Sequence, residues 1–218
     1  ERQIVTSCGN LTLLLTGSDT PAQAEPYIEQ GLAVARKLND RKQIYLMLYY
    51  ESWLAMVQGD RQRSHQLLEE SLALMRAEGD LVRLGAGLWR LGHLCWLEGS
   101  YANAFTAFQQ SLGLRSDLKN RRGIAYAIDG LAWVAAVTGQ APVAAQLFGT
   151  THAHFTAMDT HFHPMEQPAH DAAITAARRA LGEQLFNAAW TLGQAMSLEA
   201  AASLAHSITP PALNKYPE

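Results

Sequence analysis

Asp80–Asn120 reads DLVRLGAGLWRLGHLCWLEGSYANAFTAFQQSLGLRSDLKN, and its punctuation decides the fold. Leu84, Leu88, Leu94 and Leu97 recur at helical spacing, which places them along one stripe of an amphipathic helix. Gly99 stands where that helix must stop, because the first position past a helix commonly takes φ > 0, a conformation that only glycine adopts without steric cost. Ser100 follows and can cap a second helix, whose apolar stripe runs through Phe108, Leu112 and Leu114.

Outward from this stretch the pattern repeats. A shift of forty residues aligns Gly99 with Gly59 and Gly139, and Asp80 with Asp40 and Asn120. The first helices share Ile44, Leu84 and Ile124; Leu48, Leu88 and Ile128; Leu54, Leu94 and Val134; and Val57, Leu97 and Val137. In the second helices Leu68 matches Phe108 and Phe148, Leu72 matches Leu112, and Leu74 matches Leu114. Asp60 and Ser100 are placed to cap second helices, Asp40, Asp80 and Asn120 to cap first ones, and Thr20-Pro21 combines a cap with a first-turn proline. An incomplete earlier unit covers residues 1–39, with Gly17 as its turn and Ala22 to Leu38 as its second helix. No stretch alternates with the period of two expected of a half-buried strand. Self-similarity at a fixed period of this size is the signature of a solenoid of helix pairs.

The chain has 218 residues, of which 48% are hydrophobic and 17% charged, with a formal charge of −3; this composition is globular and excludes disorder. A core of the size available needs neither disulfides nor metal, and Cys8 and Cys95, far apart in apolar surroundings, read as reduced intracellular thiols. The longest apolar candidate, Gly123 to Val137, is broken by Asp129 and is too short to span a bilayer. The absence of a basic tract argues against nucleic-acid binding by this segment. Glu1 stands without an initiator methionine or a signal-peptide pattern, as in a piece of a longer polypeptide.

Tyr101, Ala104, Phe108 and Ser111, with Leu91, Gly92, Cys95 and Gly99, resemble the tetratricopeptide (TPR) consensus, in which small residues sit where paired helices cross and an aromatic ring fills the seam. The departures are a period of forty where that family has 34, and Cys95 where its consensus favours Tyr. The resemblance implies an all-α, right-handed superhelical solenoid of antiparallel helix pairs over residues 1–160, about four pairs with the first incomplete.

Beyond Met158 the register fails. His161 to Pro168 reads as a loop, followed by capping helices from about Ala169 to Leu181, Glu183 to Gly193 and Leu198 to His206, the last capped by Ser197. Residues 161–207 thus form a C-terminal helical cap, and 208–218, with Pro210, Pro211 and Pro217, a linker or tail. Phe186 and Trp190 share one helical face and suit covering the open end of the repeats. The string Ala144-Ala145-Gln146-Leu147-Phe148-Gly149, followed by Ala180 to Glu183, Phe186, Ala189-Trp190, Gly193, Met196 to Glu199 and Ala202, resembles the terminal segment of bacterial LuxR-type and AfsR-type (MalT-like) ATPase transcriptional regulators. That resemblance implies an upstream nucleotide-binding switch domain and, in the LuxR type, a nearby helix-turn-helix.

Signals of catalysis are missing. Gly87 to His93 has glycines spaced like a phosphate-binding loop, but His93-Leu94 occupies the positions that require Lys and Ser/Thr. Gly85-Ala86-Gly87 lacks a third glycine and a preceding strand, and neither a Gly-x-Ser-x-Gly elbow nor a zinc-type cysteine pair occurs. Five of the eight histidines, His152, His154, His161, His163 and His170, cluster within nineteen residues. Imidazole binds metals and responds to pH, and the candidate ligands would be His161, His163 and His170. His152 and His154 point apart on a helix, no carboxylate pattern completes a shell, and surface histidines around a loop are the plainer reading. No metal or cofactor is expected.

Aromatic residues offer the functional lead. Four of the five tryptophans lie in first helices, which in tetratricopeptide solenoids line the concave face. The register places Tyr49, Trp53, Met56, Trp89, His93, Trp96, Tyr126 and Trp133 on or near that face as a ligand or partner groove, with Arg90, Glu51 and Asp129 as polar selectivity at its rim. The same spacing suits packing between neighbouring pairs, and both alternatives stand. The function expected is a non-enzymatic, cytoplasmic binding scaffold, the sensor part of a larger bacterial signalling ATPase or transcriptional regulator. Its partner would be a protein, a peptide or the upstream domains of its own polypeptide, with no membrane role. The rival readings are a self-association module forming homo-oligomers, a metal- or pH-sensing module, and a defence-type ATPase segment.

Overall fold

In a computed structural model the described residues are 2–16 and 21–212. Eleven α-helices follow one another among them: α1 Arg2–Thr16, α2 Glu25–Lys37, α3 Arg41–Val57, α4 Arg61–Ala77, α5 Leu81–Leu97, α6 Tyr101–Asp117, α7 Arg121–Val137, α8 Ala141–Ala157, α9 Gln167–Leu181, α10 Glu183–Gln194 and α11 Leu198–His206. A 3-10 turn, Pro21–Ala24, precedes α2, where the sequence had suggested one helix from Ala22. The turn at Gly17, the cap at Thr20 and the tail at Pro217 lie outside the described residues. The chain divides into two compact units, Glu1–Gly87 and Leu88–Glu218.

The forty-residue period resolves into equal halves. Each helix from α3 to α8 has 17 residues, and left-handed backbone recurs at Asn39, Gly59, Gly79, Gly99, Lys119, Gly139 and Asp159. Glycine suits that position because it has no Cβ to meet the carbonyl, whereas a larger side chain there costs about 1–2 kcal/mol. After each of these but Asp159 a new helix begins two residues on. Asp40, Asp60, Asp80 and Asn120 each accept from the backbone N–H three residues on. Ser100 departs from that expectation: its hydroxyl caps nothing and instead accepts from the Asn103 amide.

In the first unit α3 and α4 are tied by side chains reaching across, Ser64 Oγ to the Ser52 carbonyl at 2.8 Å and Ser71 Oγ to the Tyr45 carbonyl at 2.7 Å. Tyr45 is fully buried and donates to Asp80 Oδ2 at 2.7 Å. Its apolar centre joins Val5, Cys8, Leu32, Ala35, Met47 and Leu48.

The second unit holds the larger core, built on α7, which has twelve buried residues. Phe108 of α6 wedges between α5 and α7: a Cβ added at Gly92 or Gly130 would fall 2.6 and 2.5 Å from its ring. Gly92, read from the sequence as a small residue at a helix crossing, matches the packing, and Gly130 does the same on α7. The C-terminal cap depends on a still closer approach. At Gly149 an added Cβ would collide with the Trp190 carbonyl, and at Gly193 with the Gln146 carbonyl, so α8 and α10 touch backbone to backbone. Thr150 Oγ1 seals the crossing by donating to the Gly193 carbonyl at 2.8 Å. Phe186 is buried and Trp190 half-buried.

Two boundaries differ from those read in the sequence. Pro168, assigned to the loop, lies in the first turn of α9, where its missing N–H has no helical partner to lose. Ile208, assigned to the linker, is 2% exposed, and Gln140 clamps Thr209 through both amide atoms, at 3.0 and 2.9 Å. The cap is therefore held through Thr209.

Candidate functional site

The expected groove residues divide by burial. In the first unit Trp53 and Met56 are buried on α3, while Tyr49 is half-buried and packs edge-on against Tyr50 at 5.7 Å. Glu51, placed at the rim, pairs with Arg63 at 2.8 Å.

In the second unit Trp133 is 0%, His93 1% and Trp89 5% exposed. As surfaces open to a ligand, Trp53, Met56, Trp89, His93 and Trp133 are corrected: they are packing residues. The physical reason is visible around Trp133, whose indole is met at 5.4–6.0 Å by the rings of Trp89, His93, Trp96 and Phe108. Trp89 Nε1 donates to the Tyr126 carbonyl at 2.7 Å, satisfying its polar end inside the unit. Trp96 and Tyr126 stay half-buried, and with Tyr49 they are the aromatic members of the predicted set that retain substantial surface.

Asp129 and Arg90 were expected at a solvated rim, and both are buried. Asp129 accepts from Trp133 Nε1 at 2.7 Å and Thr151 Oγ1 at 2.6 Å, and its Oδ2 lies 2.9 Å from His170 Nδ1. A buried carboxylate is tolerable only when paired and hydrogen-bonded, and α7, α8 and α9 meet at this point to provide that. Burial pulls the His170 pKa down, but the charge and hydrogen bond of Asp129 outweigh it and leave it raised.

The loop before α9 folds over this core. Tyr126 donates its hydroxyl to the His161 carbonyl at 2.9 Å. Phe162 packs against Tyr126, Phe155, Trp133 and His170 with ring centroids 4.5–6.3 Å apart. Glu166 is buried and accepts from the His163 N–H at 3.2 Å. Burial raises its pKa, against the opposing influence of Arg90, Arg115 and Arg122. Burial also lowers the His163 pKa, and it takes His93 down to about 3, with help from Arg90, so His93 is a neutral imidazole.

His161 is exposed beside Asp159, at 3.5 Å; His163 Nδ1 accepts from the Met165 N–H at 3.4 Å; and His170 serves Asp129. Among the described residues these three do not form a group with ligand atoms within 4.8 Å of one another. On α5, His93 Nε2 and Trp96 Nε1 are buried without a hydrogen-bond partner among the described residues.

Sequence reasoning overlooked Phe162, Thr151 and Glu166. The available signal was Asp129, a carboxylate in the middle of an otherwise apolar helix and four residues from Trp133, which had to be satisfied from neighbouring elements.

No family model matches the chain, and no curated protein matches it. Among solved structures it is similar to the nearly identical TPR-like repeats of a kinesin light chain-like protein of Podosopora anserina, with 17% identity, a TM-score of 0.59, and coverage of 93% of this chain and 95% of that one. The fold is therefore that of an all-α protein of TPR-like helix-pair repeats. No described helix is long and apolar enough to cross a membrane.

Proposed function

We propose that the chain is a non-catalytic binding scaffold which engages a protein or peptide, and that it forms the sensor part of a larger cytoplasmic signalling ATPase or transcriptional regulator of bacterial type. Residues 1–160 would supply the repeats and 161–207 the cap. The observation that supports the binding role is the half-buried aromatic surface that Trp96 and Tyr126 keep on a TPR-like fold. The regulator context is supported by the terminal string from Ala144 to Ala202, whose glycines at 149 and 193 are the backbone crossing of α8 on α10.

Output follows if the partner binds the active and resting arrangements with unequal affinity. The test is to isolate the native polypeptide with an antibody raised against this chain and measure its length and ATP binding. A longer, ATP-binding species is expected. A native polypeptide no longer than these 218 residues would end the regulator reading. For the binding role, Trp96→Ala combined with Tyr126→Ala is expected to abolish the regulatory response of that native protein; an unchanged response would refute it.

A further inference from the structure

A groove of about 650 Å³ runs along α11 in the second unit, against the end of α6 and the start of α7. It lies within the range of about 300–1,000 Å³ typical of ligand sites, and it is separate from the α5–α7 seam. Its apolar lining is Ile124, Leu198 and Ala202. Around them stand Lys119, Arg121 and His206, with Glu199 as the carboxylate among the lining residues.

The charges do not balance within the groove. Arg121 and Glu199 form a loose pair at 3.6 Å, both largely exposed, which among the described lining residues leaves Lys119 as a surplus cation in a chain whose net charge is −3. Lys119 also occupies a left-handed turn position, φ 52°, held by glycine at 59, 79, 99 and 139 and by Asn39 and Asp159. Ser116 and Ser203 add hydroxyl oxygens to the lining; Ser203 donates to the Glu199 carbonyl, which leaves its lone pairs as acceptors. His206 Nδ1 is held by Gln109 Oε1 at 3.1 Å, so its ring is fixed in place.

From this we infer a second docking surface: the α6–α7 turn and α11 together take an acidic, aliphatic peptide segment of a partner protein. The segment's aliphatic side chains would lie on Ile124, Leu198 and Ala202, its carboxylates would meet Lys119 and Arg121, and its backbone N–H groups would reach the serine hydroxyls. The stretch from Leu198 to His206 is about 12 Å long at 1.5 Å per residue, a length suited to a few residues of extended or helical chain. The serine acceptors would go unused by a simple fatty anion, and that difference favours a peptide. The inference rests on charge complementarity at this groove and stands whether or not the regulator reading holds.

The probe is a blocked decapeptide in which leucine alternates with glutamate, titrated into the ¹⁵N-labelled chain. Its lysine-for-glutamate counterpart and sodium decanoate serve as comparisons. The acidic peptide is expected to bind with amide shifts confined to residues 116–124 and 198–206. Lys119→Gly is expected to weaken it about tenfold, equal to about 1.4 kcal/mol, while raising the unfolding midpoint, so that lost affinity cannot be lost folding. Ala202→Glu is expected to remove binding. The inference is overturned if the acidic peptide does not bind, if its shifts map elsewhere, if Lys119→Gly leaves its affinity unchanged, or if the lysine peptide or decanoate binds the same residues as tightly.

Discussion

Asp129 Oδ2 lies 2.9 Å from His170 Nδ1 inside the second unit, and the Asp129 carboxylate is completely buried. This contact ties α9 to α7 through a side chain that can carry the charge opposite to the Asp129 carboxylate. It makes the docking of the C-terminal cap an electrostatic matter as well as an apolar one.

The pH dependence follows from the direction of the His170 shift. Its folded pKa is raised above the ordinary value of 6.5, so its contribution is whole below that value and is lost as pH rises through the folded pKa. His93 and His163 act in the opposite sense: both are lowered, and the stability from their neutral forms is lost as pH falls. Comparing wild type with His170→Gln separates the two. Urea unfolding at pH 6 and pH 8 should show wild type exceeding the variant by about 2 kcal/mol at pH 6, with a smaller gap at pH 8. A gap independent of pH would contradict the charge pairing.

Trp133 and Trp96 are both indoles of the same cluster, but their N–H groups differ in what they do. Trp133→Phe deprives buried Asp129 of a donor and should cost about 2 kcal/mol. Trp96→Phe deletes an N–H that has no partner among the described residues, so the smaller ring's lost packing is offset and stability should change by less than about 1 kcal/mol. Chemical denaturation of the two variants checks the contrast.

The α8–α10 crossing leaves no space for a methyl group. Gly193→Ala and Gly149→Ala each force backbone apart from backbone, and each should destabilise the second unit by about 3 kcal/mol. Gly113→Ala is the control, since an added Cβ there meets nothing within 4 Å; it should be neutral or slightly stabilising in a thermal melt.

Left-handed turns give a further comparison. Gly99 has φ 73°, and an added Cβ finds open space, so any penalty for Gly99→Ala is conformational rather than steric crowding by neighbours. The melt should show a loss of about 1 kcal/mol.

Much of the fold was legible because its turn chemistry is local: Gly59, Gly99 and Gly139 with the caps at Asp40, Asp60 and Asn120 mark the helix ends directly. Lys119 and Asp159 occupy the same left-handed position without glycine's signature, so at 120 the helix start was legible from the Asn120 cap alone. The candidate site was legible only as a set of aromatic residues. Helical spacing placed Trp89 and Trp133 on inward-facing stripes, but whether such a stripe meets solvent or another element depends on Phe162, which arrives from a loop outside the repeat. Arg90 and Asp129 misled for a related reason: a charge in sequence suggests water, whereas here tertiary neighbours satisfy Asp129 from three helices.

The recurrence of identical seventeen-residue rods joined by three-residue corners has a consequence for how this chain tolerates change in length. One inserted residue within a rod turns everything after it by about 100°, sending Trp133 or Phe108 out of the interior. Loss or gain of a full forty-residue block leaves every later side chain facing as before. Growth and shrinkage of this protein are therefore quantised, and its natural unit of remodelling is the helix pair.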